Sequence, residues 1–395
     1  MKSILLTALS LLVPMAASAF DFTIDGIYYN INDGDSTVSV TYGHSWTDME
    51  GWLHIVGCYS GNVIVPQQVD YQEKTYVITD IGKYAFSDCE NLCSVTIPST
   101  VTRIGSKAFA NSGVQSVSIP NSVTEIGYGA FGYCGALRSV ILPERLTVIS
   151  SSLFESSGLT SIDIPDSVTE IRIGAFAFTG LTSIFIPSKV ASIGSMAFTS
   201  CKNLESIQVS EDNPFYDSRS DCNAIIRTAS NYLITACDNT VIPDGIVGIG
   251  EYAFDSCDKI TSVVIPASVT KIAHSAFDFC SNLSVVICKA ITPPAIAASS
   301  FKCENSTLYV PEAALEAYRN ADNWKKFSKI LPIGAQMYGD ANGDNVVNIS
   351  DVNYLISVIL GGGYDYMADV NSDGQVNITD INAIIAIILD STGNP

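Results

Sequence analysis

The last 60 residues contain eight aspartates and no lysine, arginine or glutamate. Most of these aspartates fall in two segments, 340–351 and 369–380, which repeat at an interval of 29 residues. Each segment places oxygen-bearing side chains at positions 1, 3, 5 and 12 of a 12-residue loop. Together with a backbone carbonyl at position 7, these are the hard oxygen ligands that Ca²⁺ prefers. The spacing therefore predicts two calcium loops.

Each loop is followed by an apolar segment with helical character, at 352–360 and at 381–389. These helices must hold the twelfth loop position in place. The alternative is an acidic linker rich in Asn and Gly. Two loops in the same register, each with the same kind of helix after it, argue against a linker.

The pair of segments resembles a type I dockerin, a duplicated calcium-loop and helix module that binds cohesin domains. The resemblance implies two Ca²⁺ ions and a small all-α domain at 340–395, preceded by a linker at 334–339. Ligands carried over from the family pattern are Asp340, Asn342, Asp344, Val346 and Asp351 in loop one, and Asp369, Asn371, Asp373, Gln375 and Asp380 in loop two. Val346 and Gln375 contribute carbonyls. Residues that fall at the family's partner-recognition positions are Ile349, Ser350, Ile378 and Thr379.

Two features depart from the family pattern. Asn345 stands at position 6, where Gly is usual, and Asn tolerates a left-handed backbone. The basic residues that many dockerin helices carry are missing. Because eight carboxylates repel one another around a tiny core, we expect this domain to be largely unfolded without Ca²⁺.

The middle of the chain repeats every 22–23 residues. Phenylalanine marks the repeat at Phe86, Phe109, Phe131, Phe154, Phe176, Phe198, Phe254, Phe277 and Phe301. One unit reads approximately L-x-S-V-x-I-P-x-S-V-T-x-I-G-x-x-A-F-x-x-C/S. The S-V-x-I segment alternates with period two and predicts a short half-buried strand. Proline then ends the strand, and Gly127 and its equivalents are expected to permit a turn. Such short units bury their apolar faces only by stacking.

This pattern resembles the BspA-like leucine-rich repeats of bacterial surface and secreted proteins. The resemblance implies a right-handed leucine-rich solenoid with a β-strand and a short helix or turn in each coil. It implies repeats at 80–288, an N-terminal β cap at 20–79 and a C-terminal cap at 289–333. A polar insert at about 210–240 accounts for the 56-residue step between Phe198 and Phe254.

Outward strand residues should form columns on one sheet face. One column is nearly constant in serine: Ser94, Ser116, Ser139, Ser161, Ser183, Ser206 and Ser262. Its neighbour varies and is the better ligand surface: Thr96, Ser118, Ile141, Asp163, Phe185, Gln208 and Val264. Exposed apolar residues in it either mark an interaction site or are ordinary isolated surface residues.

The eleven cysteines do not indicate a disulfide scaffold. Five of them lie three residues after the repeat Phe, where other units carry Ser or Thr, so the position favours small buried side chains. Bridges between Cys257 and Cys280, or between Cys222 and Cys237, remain alternatives. The three histidines form no metal-binding spacing.

The net charge of −20 argues against binding to nucleic acid or anionic lipid. Met1-Lys2, an apolar run at 4–13 and Ala17-Ser18-Ala19 predict a signal peptide at 1–19, and no later apolar run suggests membrane insertion. We therefore expect an exported bacterial protein that is secreted or lies at the cell surface.

Three functions are compatible with this organisation. The first is non-catalytic recognition or adhesion, in which the solenoid binds a protein or glycan and the dockerin-like domain binds a cohesin-like partner. The second is a targeting or enzymatic subunit of a polysaccharide-degrading assembly, although no catalytic carboxylate pair stands out. The third is inhibition of secreted proteases.

Overall fold

The structure is a computed structural model that describes residues 17–18, 20–33, 36–47, 53–56, 58–301, 306–333, 339–344, 346–362, 365, 368–371 and 375–392. The chain divides into two compact units, 1–215 and 216–395. Apart from Ala17–Ser18, the predicted signal peptide lies outside the described residues. No helix in the described ranges is both long and apolar enough to cross a membrane.

The first unit begins with a β-rich segment before the repeats. Its strands are β1 (Ala17–Ser18), β2 (Phe22–Ile24), β3 (Ile27–Ile31), β4 (Thr37–Thr41), β5 (His44–Thr47), β6 (Leu53–Val56), β7 (Gly61–Ile64), β8 (Gln68–Tyr71) and β9 (Lys74–Ile81). β2, β3 and β4 pair antiparallel, and β4 then pairs in parallel with β9. The sheet continues into the first repeat, where Arg103–Ile104 pairs in parallel with β9. This arrangement covers the open edge of the first coil.

The repeats of the first unit contribute two short strands to most coils. They are β10 (Leu92–Thr96), β11 (Arg103–Ile104), β12 (Ser116–Ser118), β13 (Glu125–Ile126), β14 (Ser139–Ile141), β15 (Val148–Ile149), β16 (Glu170–Ile171), β17 (Ser183–Ile186), β18 (Ser192–Ile193) and β19 (Ser206–Val209). Equivalent residues of successive coils pair in parallel, as Ser116 does with Ser139 and Ile104 with Ile126. The predicted alternation is confirmed, since Val117 is buried between exposed Ser116 and Ser118.

Two details differ from the sequence prediction. The coil containing Ile164 forms no strand at 159–164. Its exposure pattern is nevertheless similar, since Ser161 and Asp163 are exposed and Ile164 is buried. Most coils also contain a second two-residue strand, such as Glu125–Ile126, which the sequence pattern did not predict. The described repeats of this unit close each coil with turns and contain no helix.

The repeat phenylalanines form a stack through the core. Neighbouring ring centroids from Phe86 to Phe198 lie 4.9–5.7 Å apart with interplanar angles of 6–18°. Tyr59 extends this stack at the N-terminal side, 4.8 Å from Phe86. Each coil thus buries its largest side chain against the equivalent ring of the next coil.

The I-G glycines have a different role from the predicted one. Gly127 does not have a positive φ; that conformation falls two residues later, at Gly129 (φ 57°). A Cβ on Gly127 would lie 2.5 Å from the backbone nitrogen of Ser106 on the preceding coil. Gly127 is therefore required because two backbones approach each other closely, not because it turns the chain.

The second unit contains most of the insert, further coils, the C-terminal cap and the dockerin-like segment 340–395, which is called the tail below. Its strands are β20 (Tyr216–Asp217), β21 (Ile225–Arg227), β22 (Tyr232–Thr235), β23 (Gly248–Ile249), β24 (Ser262–Ile265), β25 (Lys271–Ile272), β26 (Val285–Cys288), β27 (Ala295–Ile296), β28 (Thr307–Val310) and β29 (Lys329–Pro332). Its α-helices are α1 (Leu315–Asn320), α2 (Ile349–Gly361) and α3 (Ile378–Thr392). The insert forms the antiparallel hairpin of β21 and β22.

Aromatic residues close the C-terminal end of these coils. The rings of Phe254, Phe277 and Phe301 stack at 4.6–4.7 Å. Trp324 then lies 5.8 Å from Phe301 and donates its indole N–H to the carbonyl of Pro294 at 2.8 Å. The buried indole therefore has a hydrogen-bond partner while it covers the last ring of the stack.

The cysteines of the repeat lie in buried or partly buried positions, as the small-residue column predicts. Cys89, Cys134, Cys201 and Cys257 are buried, and Cys280 is partly buried. Cys222 and Cys237 are also buried, beside the hairpin. Ser112, Ser157 and Thr179, which occupy the same column, are buried as well.

Replacing Gly127 with alanine should destabilise the repeats by about 1–3 kcal/mol, because the new methyl group meets backbone that cannot move aside. A lower melting temperature by circular dichroism would show this. Gly135→Ala is the matched control: no atom lies within 4 Å of its added Cβ and its φ is not positive. Equal melting temperatures for the two variants would contradict the close-approach explanation.

Candidate functional site

Three carboxylates of the first predicted calcium loop converge. Oxygen atoms of Asp340, Asp344 and Asp351 all lie within 4.8 Å of one another. Asp340 and Asp351 are buried, whereas Asp344 is exposed. The twelve-residue spacing thus brings together groups from both ends of the loop.

Asp351 closes this loop from the first turn of α2. Its Oδ1 accepts the backbone N–H groups of Ala341 at 2.9 Å and Asn342 at 3.2 Å. Its Oδ2 accepts the N–H of Asn348 at 2.8 Å, and Asn348 in turn caps Ser350, so the two residues form a capping box. A single carboxylate therefore fixes the start of the loop and the start of the helix.

The interior of the loop is folded by its own acidic side chains. Asp340 Oδ1 accepts N–H groups from Gly343 at 2.9 Å and Asp344 at 3.1 Å. Asn342 Oδ1 also accepts the N–H of Asp344, and Asp344 Oδ1 accepts that of Val346. These bonds give the loop its shape through oxygen atoms that Ca²⁺ would also contact.

The charge of the loop fits a divalent cation. Three carboxylates lie together, and the sequence from 336 to 395 contains no lysine or arginine. Like charges at such distances repel one another, and a bound cation would offset that repulsion. A hard cation held by Asp340, Asn342, Asp344 and Asp351, with the carbonyl of Val346, would supply that charge.

Loop two repeats the arrangement at the residues that the structure describes. Asp380 is fully buried and accepts N–H groups from Asn371 at 3.1 Å and Asn377 at 2.9 Å. Asn377 caps Thr379, as Asn348 caps Ser350. Asp369 is buried and Gln375 is exposed, while Asp373 lies outside the described residues. The two sets of calcium ligands stay predictions.

The predicted partner-recognition residues lie on the surface. Ile349 and Ile378 are 65% and 64% exposed at the first turns of α2 and α3, and Ser350 and Thr379 are exposed beside them. The rest of this surface was not predicted from the sequence. Each helix continues its first isoleucine into a stripe of exposed apolar residues, Ile349, Ile356 and Leu360 on α2, and Ile378, Ile385 and Leu389 on α3.

These stripes are distinct from the core of the tail. Spacings of seven and eleven residues bring side chains to one helix face. The adjacent faces supply the buried core, which includes Val352 and Leu355 from α2 and Ile381 and Ile384 from α3. The spacing of seven and eleven residues is visible in the sequence, but the sequence was used only to predict that these segments are apolar helices.

The variable column of the first unit is exposed throughout. Its members are Thr96, Ser118, Ile141, Asp163, Phe185 and Gln208. Ile141 and Phe185 are 67% and 51% exposed. Ile64, which the sequence analysis missed, pairs with Thr96 at the start of the column and is 71% exposed.

In the second unit this column begins exposed and becomes buried. Val264 is exposed and pairs with Ile287, which pairs with Tyr309. Ile287 and Tyr309 are buried in a small outer cluster with Leu331 and Ile333. Of these three column residues, only Val264 is therefore exposed.

Comparison with known proteins agrees with this architecture. A family model described as BspA type leucine rich repeat region matches residues 74–180, 169–220 and 224–321, in six copies. These ranges cover more than half of the chain. The chain belongs to the BspA type leucine-rich repeat family. A dockerin type I domain model matches residues 338–389, which confirms the second resemblance.

Several solved bacterial structures are similar to this chain, and one of them supports the solenoid fold. A leucine rich cell surface protein from Faecalibacterium prausnitzii is 26% identical, with a TM-score of 0.53, over 82% of this chain and 96% of that chain. The pneumococcal vaccine antigen PcpA is 14% identical, with a TM-score of 0.46, over 79% and 98% of the two chains. A leucine-rich repeat protein from Bacteroides ovatus is 20% identical, with a TM-score of 0.34, over 79% and 100%. A search of curated proteins finds no match.

These findings define the general character of this BspA-type protein. Both matched domain types are non-catalytic, and both are typical of extracellular or cell-surface proteins. Dockerin type I domains generally bind calcium and cohesins. The acidic cluster lies within the matched dockerin range.

Replacing Asp351 with asparagine should lower the calcium affinity of loop one by at least about tenfold, because it removes a ligand charge and a loop-closing acceptor. Calorimetric calcium titration of the full chain measures this. Asp365→Asn removes the same charge outside both loops, where Asp365 accepts a hydrogen bond from Tyr354, and should leave the affinity unchanged. Unaltered calcium binding by Asp351→Asn would argue against the assigned loop.

Proposed function

We propose that this protein is an exported, non-catalytic recognition protein. Its solenoid binds an extracellular protein or glycan, and its tail attaches it to a second extracellular protein when two Ca²⁺ ions are bound. The observation that carries the proposal is the pair of matching apolar stripes, each beginning next to a loop with converging or buried carboxylates.

Calcium and the stripes are coupled by position. Ile349 lies two residues before Asp351, and Ile378 lies two residues before Asp380. The carboxylates that would hold the ions also close the first turns of α2 and α3. Binding of Ca²⁺ would therefore stabilise the backbone that presents the stripes.

The chemistry of the stripes favours an apolar partner surface. Each combines three large aliphatic side chains with one hydroxyl, from Ser350 or Thr379. Exposed patches of this kind mark sites of protein interaction. Since no lysine or arginine lies between 336 and 395, a cohesin-like partner would be held by apolar contacts and hydroxyl hydrogen bonds rather than by basic side chains.

The sheet face of the first unit suits a ligand with both apolar and polar groups. Phe185 presents a ring, with Gln208 paired to it on the next strand. In the column, Asp163 lies between Phe185 and Ile141, and Ile141 pairs with Ser118. An exposed ring beside amide, hydroxyl and carboxylate groups can contact either a protein or a sugar.

A second function is favoured by the dockerin match. The protein would be a targeting subunit of an extracellular polysaccharide-degrading assembly. The tail would then bind a scaffold with cohesin domains, and the solenoid would bind glycan. Hydrolysis of polysaccharide by the purified chain would contradict the non-catalytic assignment in both versions.

The duplicated stripes predict redundant attachment. Ile349→Asp or Ile378→Asp alone should retain binding to an immobilised cohesin domain in Ca²⁺, because the other helix still presents an intact stripe. The double variant should lose binding. The double control Ser357→Asp with Ala386→Asp adds the same charges at exposed positions beside the stripes and should bind normally. A double stripe variant that binds as tightly as the unmodified protein would exclude these surfaces.

The exposed ring of Phe185 predicts a local effect on ligand binding by the solenoid. Phe185→Ala should weaken binding by about tenfold or more if the ring is a contact centre, with the melting temperature unchanged. Arrays of glycans and extracellular matrix proteins identify the ligand, and the affinity of each variant for that ligand is then measured. Tyr133→Ala removes a similarly exposed ring from a turn instead and is the control. Equal loss in both variants would contradict the assignment of the sheet face.

A further inference from the structure

Two thiols meet at the N-terminal end of the first unit. Cys58 is exposed and Cys89 is buried. Their sulfur atoms approach the same carbonyl oxygen, that of Ser87, at 3.8 Å and 3.5 Å. Thirty-one residues of sequence separate these cysteines, so folding alone brings them together.

Backbone pairing just after the two cysteines, together with a ring contact, holds them near each other. Each cysteine lies three residues before a paired strand position, since Leu92 of β10 is aligned with Gly61 of β7. The N–H of Gly61 donates to the carbonyl of Asn91 at 2.8 Å. The ring of Tyr59 packs 4.8 Å from that of Phe86. The proximity of the two thiols is therefore supported by paired strands and packed rings.

The column that contains Cys89 makes such contacts repeatedly. Ser112 Oγ lies 3.6 Å from Cys134 Sγ on the next coil. Thr179 Oγ1 lies 3.3 Å from Cys201 Sγ in the same way. Side chains at this position thus touch their neighbours on adjacent coils. At the first coil the corresponding neighbours are Cys58 and Cys89, whose thiols share the carbonyl of Ser87.

We propose that Cys58 and Cys89 form a disulfide that fastens the N-terminal β-rich segment to the first coil. The oxidant is a disulfide, either a small molecule such as oxidised glutathione or an oxidised dithiol oxidoreductase. The exposed thiolate of Cys58 attacks the disulfide, releases one reduced thiol and forms a mixed disulfide. Cys89 then displaces the second thiol. Both cysteine protons are released or transferred, and the oxidant takes up two electrons as two reduced thiols.

An oxidising location rests on the proposed export of the protein, whereas the thiol geometry does not. Burial raises the pKa of Cys58, and the charges of Asp88 and Glu90 raise it further. Burial also raises the pKa of Cys89. Because the thiolate is the reactive form, oxidation should accelerate as the pH rises toward these values. Closing a loop of this length should also raise the melting temperature of the unit.

The test treats the full chain with oxidised glutathione and maps its disulfides under non-reducing conditions. Cleavage after Glu50, Glu73 and Glu90 separates Cys58 from Cys89, and Cys89 from Cys93. The expected product joins the Cys58 peptide to the Cys89 peptide and is two hydrogen atoms lighter than their sum. Oxidation should raise the melting temperature of the unmodified protein and of Cys93→Ser, and leave that of Cys58→Ser unchanged.

Each alternative outcome overturns the proposal. A bridge from Cys58 to the exposed Cys93, a bridge between two chains, or only glutathione adducts on Cys58 would show that the native pair does not close. A bridge that forms without raising the melting temperature would contradict its fastening role. Failure of the protein to bind any extracellular partner would leave the disulfide result unaffected, so the two proposals can fail separately.

Discussion

Each coil of the repeats relies on the next coil to satisfy the hydrogen bonds of its own buried backbone. The N–H of Phe109 donates to the carbonyl of Ala130 at 2.8 Å, and that of Phe131 donates to Leu153 at 3.0 Å. An unpaired N–H beside a fully buried ring would be costly. The coils must therefore stack at one spacing, and the ring stack and the close approach at Gly127 both follow from that spacing.

The same constraint explains the ends of the solenoid and its surface. A terminal coil has no further neighbour, so β9 pairs with the first coil, while Trp324 covers the last ring. Between these ends, in each unit, equivalent side chains fall into columns because strands pair residue by residue. The column residues on the outer face are free to vary, since they do not contribute to the stack.

The sequence predicted features that depend on local chemistry or on exact repetition. Phe131 and its equivalents indicated the coil length, and Asp340 to Asp351 indicated a closed loop, because both signals lie within a single short segment. The two-residue strand at Ile126 was not predicted, because it is too short to show alternation. The role of Gly127 was wrong because the clash is with another coil. Contact between Cys58 and Cys89 was missed for the same reason, since it depends on how distant segments stack.

The tail shows which of its features are required for folding and which are not. Its two halves match at the loop carboxylates Asp351 and Asp380, which fold the loops and cap the helices. They also match at exposed positions outside the buried core, since Leu360 and Leu389 are 82% and 62% exposed. At the neighbouring exposed positions the halves differ, with serine at 357 and alanine at 386. Large apolar side chains at these positions lie outside the buried core of the tail, which fits the proposal that they contact a partner.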